Sequence, residues 1–329
     1  MSRIGIRLVG RSIFCGALAL GAYAQEGDFQ KRLSEGQQLR AAGRFREAEQ
    51  ALTALLREAK RREPASAFPA VVLDNLATTE QDLANYVEAE RLLTDALSQL
   101  KKAGEKEGGI MAVVKSHLGE TYLEEGRYRE AEPVLGQALE MQQNDEHADP
   151  ESVAIAMLDL AVAYEHTRGT REAEALLRQS LGLLEARRGP DHPVLAAALG
   201  PLASVLMRAG RYDEALIHSE RAWRILSRNP AVGEPDRLNT MSALGTLYSL
   251  TGRPLEAEIF SKQAVSRAET IYGPDHPRLG YYLKAYADVL KRLDRKAEAK
   301  AAEKRSGAIL TRSGQANPVQ HTVNVNALR

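Results

Sequence analysis

Cysteine is almost absent from this 329-residue sequence. The single cysteine, Cys15, lies in an N-terminal segment that we expect to be removed, so the mature chain would contain no thiol. A chain without thiols forms no disulfide bond, offers no thiolate ligand to a metal ion and has no cysteine nucleophile. Aromatic residues are also scarce, at 5% of the chain, while alanine, leucine, glutamate and arginine are abundant. This composition favours helices over β-sheets.

The usual signatures of catalysis and cofactor binding are missing as well. The sequence has no His-Glu-x-x-His, no Gly-x-Ser-x-Gly, no Gly-Lys-Ser/Thr phosphate loop and no Gly-x-Gly-x-x-Gly. None of the seven histidines stands four residues from another, which is the spacing of helical metal sites. Basic residues form no stripe interleaved with aromatics, so nucleic-acid binding has no support. We therefore predict no catalytic residues, no metal and no cofactor.

Long hydrophobic runs are absent too, and the short run near the start is typical of a bacterial export signal. Three arginines precede an apolar run over residues 13–20, and an Ala-Tyr-Ala cleavage motif ends at Ala24. The apolar run is far shorter than the ~20 residues that span a membrane. We predict a signal peptide over residues 1–24 that is cleaved after Ala24. The mature chain would then be periplasmic or extracellular and would have no membrane span.

What the sequence does contain is one motif, Gly-Arg-Tyr-x-Glu-Ala-Glu, repeated along nearly the whole chain. Its Glu-Ala pair occurs seven times, at a spacing of 41 residues once and 42 residues five times. The alanines of these pairs are Ala48, Ala89, Ala131, Ala173, Ala215, Ala257 and Ala299. A fixed period of this length is typical of stacked-repeat proteins, in which each repeat buries its apolar face against its neighbours. Such proteins usually bind partners and rarely catalyse reactions.

Each repeat is predicted to be a pair of helices. The first helix carries apolar residues at helical spacing, for example Met157, Leu160, Ala161 and Tyr164. A Gly-Arg turn follows, in which glycine adopts a positive φ at low cost, and the second helix presents a small alanine to the first. Between repeats, Gly-Pro-Asp-His-Pro occurs twice, 84 residues apart. We interpret it as a rigid turn in which aspartate caps the next helix and histidine packs locally.

These residues resemble the tetratricopeptide repeat, specifically the 42-residue variety of kinesin light chains. The resemblance is carried by Leu-Gly-x-x-Tyr ending at Tyr122, by the repeated motif over residues 126–132 and by Gly-Pro-Asp-His-Pro. It extends from about Asp28 to Thr311. The resemblance implies an all-α fold, a right-handed superhelical solenoid of about seven helix-turn-helix repeats. Its first helices would line a concave groove that takes up peptides or partner helices.

The predicted domains follow from these limits. They are a signal peptide over residues 1–24, a repeat solenoid over residues 25–311 and a polar tail, expected to be disordered, over residues 312–329. The repeats are predicted at about 28–68, 69–109, 110–151, 152–193, 194–235, 236–277 and 278–311. The first and last repeats depart from the motif, and we interpret them as polar caps.

Partner binding is predicted on the first helices, because equivalent positions of successive helices lie side by side in a stacked array. The early groove positions are mostly acidic or polar, and they are Asp74, Asn75, Asp82, His117, Glu120, Glu124, Asp159 and Glu165. The apolar positions are Leu158, Val162 and Met207. The basic positions are Arg208, Lys284, Lys291 and Arg292. A partner segment with a basic end, an apolar centre and an acidic end would be complementary.

Three other interpretations stay open at the level of sequence. The predicted groove residues are alternatively ordinary solvated helix faces. His117 and Asp159 are alternatively the site of a ligand sensor or an enzyme. The chain alternatively has a purely structural role in the cell envelope. The kinesin light chain pattern often has asparagine at two groove positions, and here only Asn75 matches. The favoured prediction is an exported scaffold that binds a protein or peptide partner and no nucleic acid.

Overall fold

The computed structural model describes residues 27–104, 108–229 and 233–316. The predicted signal peptide and residues 317–329 of the predicted tail lie outside these ranges. Within them the chain forms fourteen α-helices and one short 3-10 helix, and these ranges contain no strand. The predicted all-α repeat fold is therefore confirmed.

The chain divides by its internal contacts into two compact units, and each has the same architecture of paired antiparallel helices. The N-terminal unit, described over residues 27–189, contains α1 (Gly27–Ala41), α2 (Phe45–Arg62), α3 (Phe68–Asp82), α4 (Tyr86–Lys102), α5 (Gly109–Glu124), α6 (Tyr128–Asn144), α7 (Pro150–Thr167) and α8 (Thr170–Arg188). The C-terminal unit, described over residues 190–316, contains a 3-10 helix (Pro193–Leu195), α9 (Ala196–Arg208), α10 (Tyr212–Arg228), α11 (Glu234–Leu250), α12 (Pro254–Tyr272), α13 (Pro277–Arg292) and α14 (Lys296–Ala316). The odd-numbered helices are the first helices of the repeats.

The turn inside each repeat places one residue in the left-handed region, as the Gly-Arg motif predicts. Gly126 and Gly210 have φ values of 72° and 76°. Ala84 and Asp294 take the equivalent position in two repeats that lack the glycine, with φ values of 61° and 59°. The turn geometry is thus kept where the residue that favours it is replaced, because packing of the two helices requires the reversal.

Small residues let the two helices of a repeat approach closely. All seven motif alanines are at most 1% exposed. A Cβ atom added to Gly119 of α5 would lie 2.4 Å from Cγ of Leu135 on α6. The side chain of Leu135 therefore packs directly against the backbone of α5 at this glycine. In the C-terminal unit, Trp223 of α10 packs edge-on against Phe260 of α12 at 5.6 Å between ring centres. Apolar contacts therefore join helices both within a repeat and between successive repeats.

The Gly-Pro-Asp-His-Pro turns differ from the sequence-based expectation in one respect. We predicted that aspartate caps the next helix, and this is wrong, because the histidine occupies the cap position in both copies. Nδ1 of His192 accepts a hydrogen bond from the backbone N–H of Val194 at 3.3 Å, and Nδ1 of His276 accepts one from the backbone N–H of Arg278 at 3.2 Å. A neutral imidazole nitrogen supplies the acceptor that aspartate usually provides.

The last helix is longer than expected. We predicted that the repeats end at residue 311, whereas α14 continues to Ala316. The buried side chain of Ile309 and the partly buried Leu310 lie in its final turns, and both contact the region of Gly280 on α13. Packing against α13 therefore supports helix close to the point where the expected tail begins.

Candidate functional site

The first helices of the N-terminal unit carry the predicted groove residues on one face, called the inner face below. Neighbouring first helices are joined across this face by polar side chains. Nε2 of Gln37 on α1 donates to Oδ1 of Asn75 on α3 at 2.9 Å. Nε of Arg40 on α1 donates to Oδ2 of Asp82 on α3 at 2.6 Å. Two of the predicted partner-binding residues are therefore already engaged by the first repeat.

A buried ion pair joins the next two first helices. Nδ1 of His117 on α5 lies 2.7 Å from Oδ1 of Asp74 on α3, and the two side chains are only 10% and 12% exposed. Nε2 of Gln81 on α3 also donates to the backbone oxygen of His117 at 3.0 Å and to Oγ1 of Thr121 at 2.8 Å. The inner face at α3 and α5 is thus a hydrogen-bonded polar layer.

The environment of His117 fixes its charge. Burial alone lowers the pKa of His117, but the negative charge of Asp74, the hydrogen bond to Asp74 and the charge of Glu120 raise it, and the net result is a pKa of about 9. The imidazole is therefore protonated at neutral pH. A protonated histidine neither ligates a metal ion nor accepts a proton as a general base, which weighs against either of these roles for His117.

The remaining predicted residues of the N-terminal unit differ in accessibility. Leu158 and Asp159 on α7 are only 1% and 3% exposed, so a partner reaches them only if neighbouring side chains move. The half-buried or exposed members are Glu120, Glu124, Val162 and Glu165. The surface that a partner meets directly is therefore smaller than the predicted set, and it combines carboxylates with a valine.

The predicted basic residues lie in the C-terminal unit. Lys284, Lys291 and Arg292 on α13 are exposed, and Met207 and Arg208 on α9 are half-buried. Nζ of Lys291 lies 2.5 Å from Oε1 of Glu303 and 3.3 Å from Oδ1 of Asp288. Among the described residues, neither Lys284 nor Arg292 has a carboxylate partner.

The inner face of the C-terminal unit is also open at α9. A Cβ atom added to Gly200 would meet no atom within 4 Å. Ala243 on α11 and Ala285 on α13 are half-buried small residues on the same face. The first helices of the C-terminal unit therefore carry small residues on α9, α11 and α13 and exposed cations on α13.

The repeated motif itself serves a different purpose, which sequence reasoning missed. Arg127, from the Gly-Arg turn after α5, donates to Oε2 of Glu90 on α4 at 2.6 Å, and Tyr122 donates to Oε1 of Glu90 at 3.0 Å. The guanidinium carbon of Arg127 lies 4.2 Å from the centre of the Tyr122 ring. We call this arrangement of Glu, Tyr and Arg across two repeats the junction clasp.

Junction clasps recur along the chain. In the C-terminal unit, Tyr248 donates to Glu220 at 2.9 Å and Arg253 donates to Glu220 at 3.1 Å, with Arg253 over the Tyr248 ring at 4.3 Å. Further arginine–glutamate pairs across neighbouring repeats are Arg168 with Glu132 and Arg295 with Glu258. The glutamate and the arginine of these pairs are separated by 33–37 residues, a spacing that signals them in advance. The motif's charged residues therefore join repeats.

Two further properties of the described residues bear on function. In the described ranges, no group of three or more His, Cys, Asp or Glu residues is placed to hold a metal ion. No helix within residues 27–316, apart from the two short gaps, is both long and apolar enough to cross a membrane.

Comparisons with known proteins give the family and the fold. A family model described as "Tetratricopeptide repeat" matches residues 68–144, 110–186, 152–228, 194–270 and 236–312. A search of curated proteins found no match. Among solved structures, a putative kinesin light chain of Podosopora anserina, with nearly identical repeats like those of the tetratricopeptide family, is 23% identical, with 61% of this chain and 95% of that chain covered and a TM-score of 0.50.

Two other solved structures are similar in fold. The apo form of RapI is 13% identical, with 88% of this chain and 99% of that chain covered and a TM-score of 0.67. A Rap protein complexed with Competence and Sporulation Factor is 14% identical, with 89% of this chain and 76% of that chain covered and a TM-score of 0.64. At these identities the likeness extends to the fold alone.

Proposed function

Because the chain belongs to the tetratricopeptide-repeat family, we propose that it is an exported scaffold that binds a segment of a protein partner on the inner faces of its first helices. The observation that supports this proposal is the contrast between two sets of residues in each repeat, those of the motif and those of the inner face. Junction clasps occupy the charged residues of the motif, whereas the inner faces present side chains that differ from repeat to repeat. Such variation provides specificity for a partner.

The chemistry proposed for the partner follows from accessibility. In the C-terminal unit, the exposed cations Lys284 and Arg292 of α13 suit an acidic segment, and Gly200 of α9 leaves room for that segment to lie close to the helix backbone. In the N-terminal unit, Glu120 and Val162 suit apolar and basic side chains. The Rap structure that is similar to this chain holds Competence and Sporulation Factor, so the same fold binds another molecule in at least one case.

Site-specific photo-cross-linking in the native host tests the proposed binding face. A photoreactive amino acid replaces Lys284 on the inner face of α13, and in a separate variant it replaces Lys300, an exposed lysine of α14. We expect one protein partner to be captured from position 284 and not from position 300. Capture of the same partner from both positions, or from neither, would contradict the proposal.

Charge reversal then tests the chemistry of the captured partner. Lys284→Glu with Arg292→Glu should weaken binding at least tenfold, because two unpaired cations would be replaced by two carboxylates. Lys300→Glu with Lys304→Glu makes the same change in net charge on α14 and should leave affinity unchanged. Equal loss in both variants would point to net charge and not to the inner face.

Export is the second part of the proposal and has its own test. We infer it from the arginines, apolar run and Ala-Tyr-Ala motif of residues 1–24. Fractionation of the host should recover the protein outside the cytoplasm, and N-terminal sequencing should begin at Gln25. A cytoplasmic protein that retains residues 1–24 would overturn this part alone.

A further inference from the structure

The first junction of the N-terminal unit departs from the junction clasp. Glu80 and Asn85 occupy the positions that Tyr122 and Arg127 occupy 42 residues later. The glutamate that a clasp would bind is still present at the end of the motif of the first repeat, as Glu49 on α2. At this junction a buried carboxylate and an amide therefore replace a phenol and a guanidinium.

With Glu80 and Asn85 at this junction, acidic side chains come together where little water reaches them. Glu80 is only 5% exposed, and its Oε2 accepts a hydrogen bond from Nδ2 of Asn85 at 2.7 Å. Burial raises the pKa of Glu80; the hydrogen bond from Asn85 opposes it, the charges of Glu49 and Glu88 raise the pKa further, and that of Arg46 lowers it. Arg46 is itself paired with Glu49 at 2.9 Å and is well exposed.

The position of Glu80 within its helix adds to this effect. Glu80 lies in the last turn of α3, which ends at Asp82. The carbonyl groups at a helix C-terminus carry partial negative charge, so an ionised carboxylate is unfavourable there. In the other clasps this place is taken by Tyr122 or Tyr248, which donate a hydrogen bond to a glutamate of the preceding repeat.

The first repeat covers part of the inner face while it is docked. Gln37 and Arg40 of α1 bind Asn75 and Asp82 of α3 at 2.9 Å and 2.6 Å. Together with the stacked rings of Phe29 and Phe68, these contacts hold α1 in place, and they also occupy two residues of the proposed binding face. Any movement of α1 away from α3 would free both side chains for a partner.

We propose that α1 and α2 form a releasable cap, whose junction with α3 is weakened when Glu80 is ionised and whose release uncovers Asn75 and Asp82. A carboxyl group whose folded-state pKa is raised contributes full stability below its ordinary pKa and loses it as pH rises through the raised value. Docking of the cap is therefore strongest in acid and weakest at neutral pH and above. The role of the uncovered residues rests on the proposed function, whereas the release itself does not.

Hydrogen exchange of the full chain tests the release without any partner. Protection factors, corrected for the intrinsic pH dependence of exchange, are compared at about pH 5 and about pH 8. We expect protection of α1 and α2 to fall severalfold more than that of α5 and α6, which serve as the reference within the same molecule. Glu80→Gln should raise protection of α1 and α2 at the higher pH and remove the difference between the two conditions.

Two further variants make the experiment specific. Glu140→Gln removes an exposed carboxylate from α6 and should leave the behaviour of α1 and α2 as in the wild type. Glu80→Tyr with Asn85→Arg restores the clasp residues and should hold the cap closed at both pH values; if this variant does not fold, Glu80→Gln alone decides. An unchanged pH response in Glu80→Gln, or none in the wild type, would overturn the proposal. Either result would leave partner capture from position 284 unaffected, so the two proposals fail separately.

Discussion

The buried pair of His117 and Asp74 gives a quantitative prediction for the variant Asp74→Asn. In the wild type the pKa of His117 is about 9, because the carboxylate outweighs the effect of burial. Asparagine keeps the size of the side chain but removes its charge. Burial, the largest single influence, would then outweigh the remaining charge of Glu120, and the pKa of His117 should fall below its ordinary value of 6.5.

The magnitude follows from the linkage between proton binding and folding. A histidine whose pKa rises on folding stabilises the protein fully below its unfolded pKa, and this contribution is lost as pH rises through the folded value. At about 1.4 kcal/mol for each tenfold change in proton affinity, the rise from 6.5 to about 9 corresponds to roughly 3 kcal/mol. Removal of one partner from a buried ion pair typically costs about 3–5 kcal/mol, which agrees.

Two measurements check this prediction. An NMR titration of the imidazole signals gives the pKa of His117 directly in both proteins, with the exposed His147 as reference. Urea unfolding of the N-terminal repeats between about pH 6 and about pH 9 gives the free energy of unfolding, which should decrease with pH in the wild type and rise slightly in Asp74→Asn, where the pKa of His117 lies below its unfolded value. A wild-type His117 that titrates near 6.5, or wild-type stability that rises over this range, would refute the reasoning.

The remaining predictions concern packing and capping. Gly119→Ala should destabilise the fold by about 1–3 kcal/mol, because its Cβ would lie 2.4 Å from Cγ of Leu135, whereas Gly136→Ala, whose Cβ meets no atom within 4 Å, should stabilise it by about 0.5–1 kcal/mol; urea unfolding of both variants checks this, and equal effects would contradict it. His276→Ala should cost about 0.5–2 kcal/mol and His276→Asn much less, since asparagine also caps helices. Because burial and the charge of Arg278 lower the pKa of His276, its contribution should be complete above pH 6.5 and decline in acid, as thermal unfolding across pH would show.

The features that every repeat shares could be predicted from the sequence. A 42-residue period with apolar residues at helical spacing specifies paired helices, and the small motif residues, such as Ala131, specify where the helices touch. The turn was also predictable, although Ala84 shows that the geometry survives loss of glycine. These features follow from the sequence because each is decided by residues close together in the chain and is repeated in every unit.

The contacts between particular side chains could not be predicted in the same way. Asp74 and Asp82 were expected to give the early inner face a free acidic character, but the structure pairs them with His117 and Arg40. Partners separated by about 42 residues meet only if the offset between neighbouring helices places them at hydrogen-bond distance. Periodicity gives the neighbouring helix but not this offset, so charge read along the sequence overstates the charge that a partner would meet.

Each repeat uses different residues for stacking and for its inner face, and this separation indicates which positions can give specificity for a partner. Residues that form junction clasps, such as Glu90 and Arg127, join neighbouring repeats, and a substitution there alters stacking before it alters recognition. A partner can be distinguished only through positions whose loss leaves the joints intact. Gly200 and Lys284 lie on the inner face of the C-terminal unit and differ from their counterparts in other repeats. If the proposed function holds, substitutions at these positions should change binding and leave the stacking of the repeats intact. The motif that identifies the fold then carries the least information about the partner.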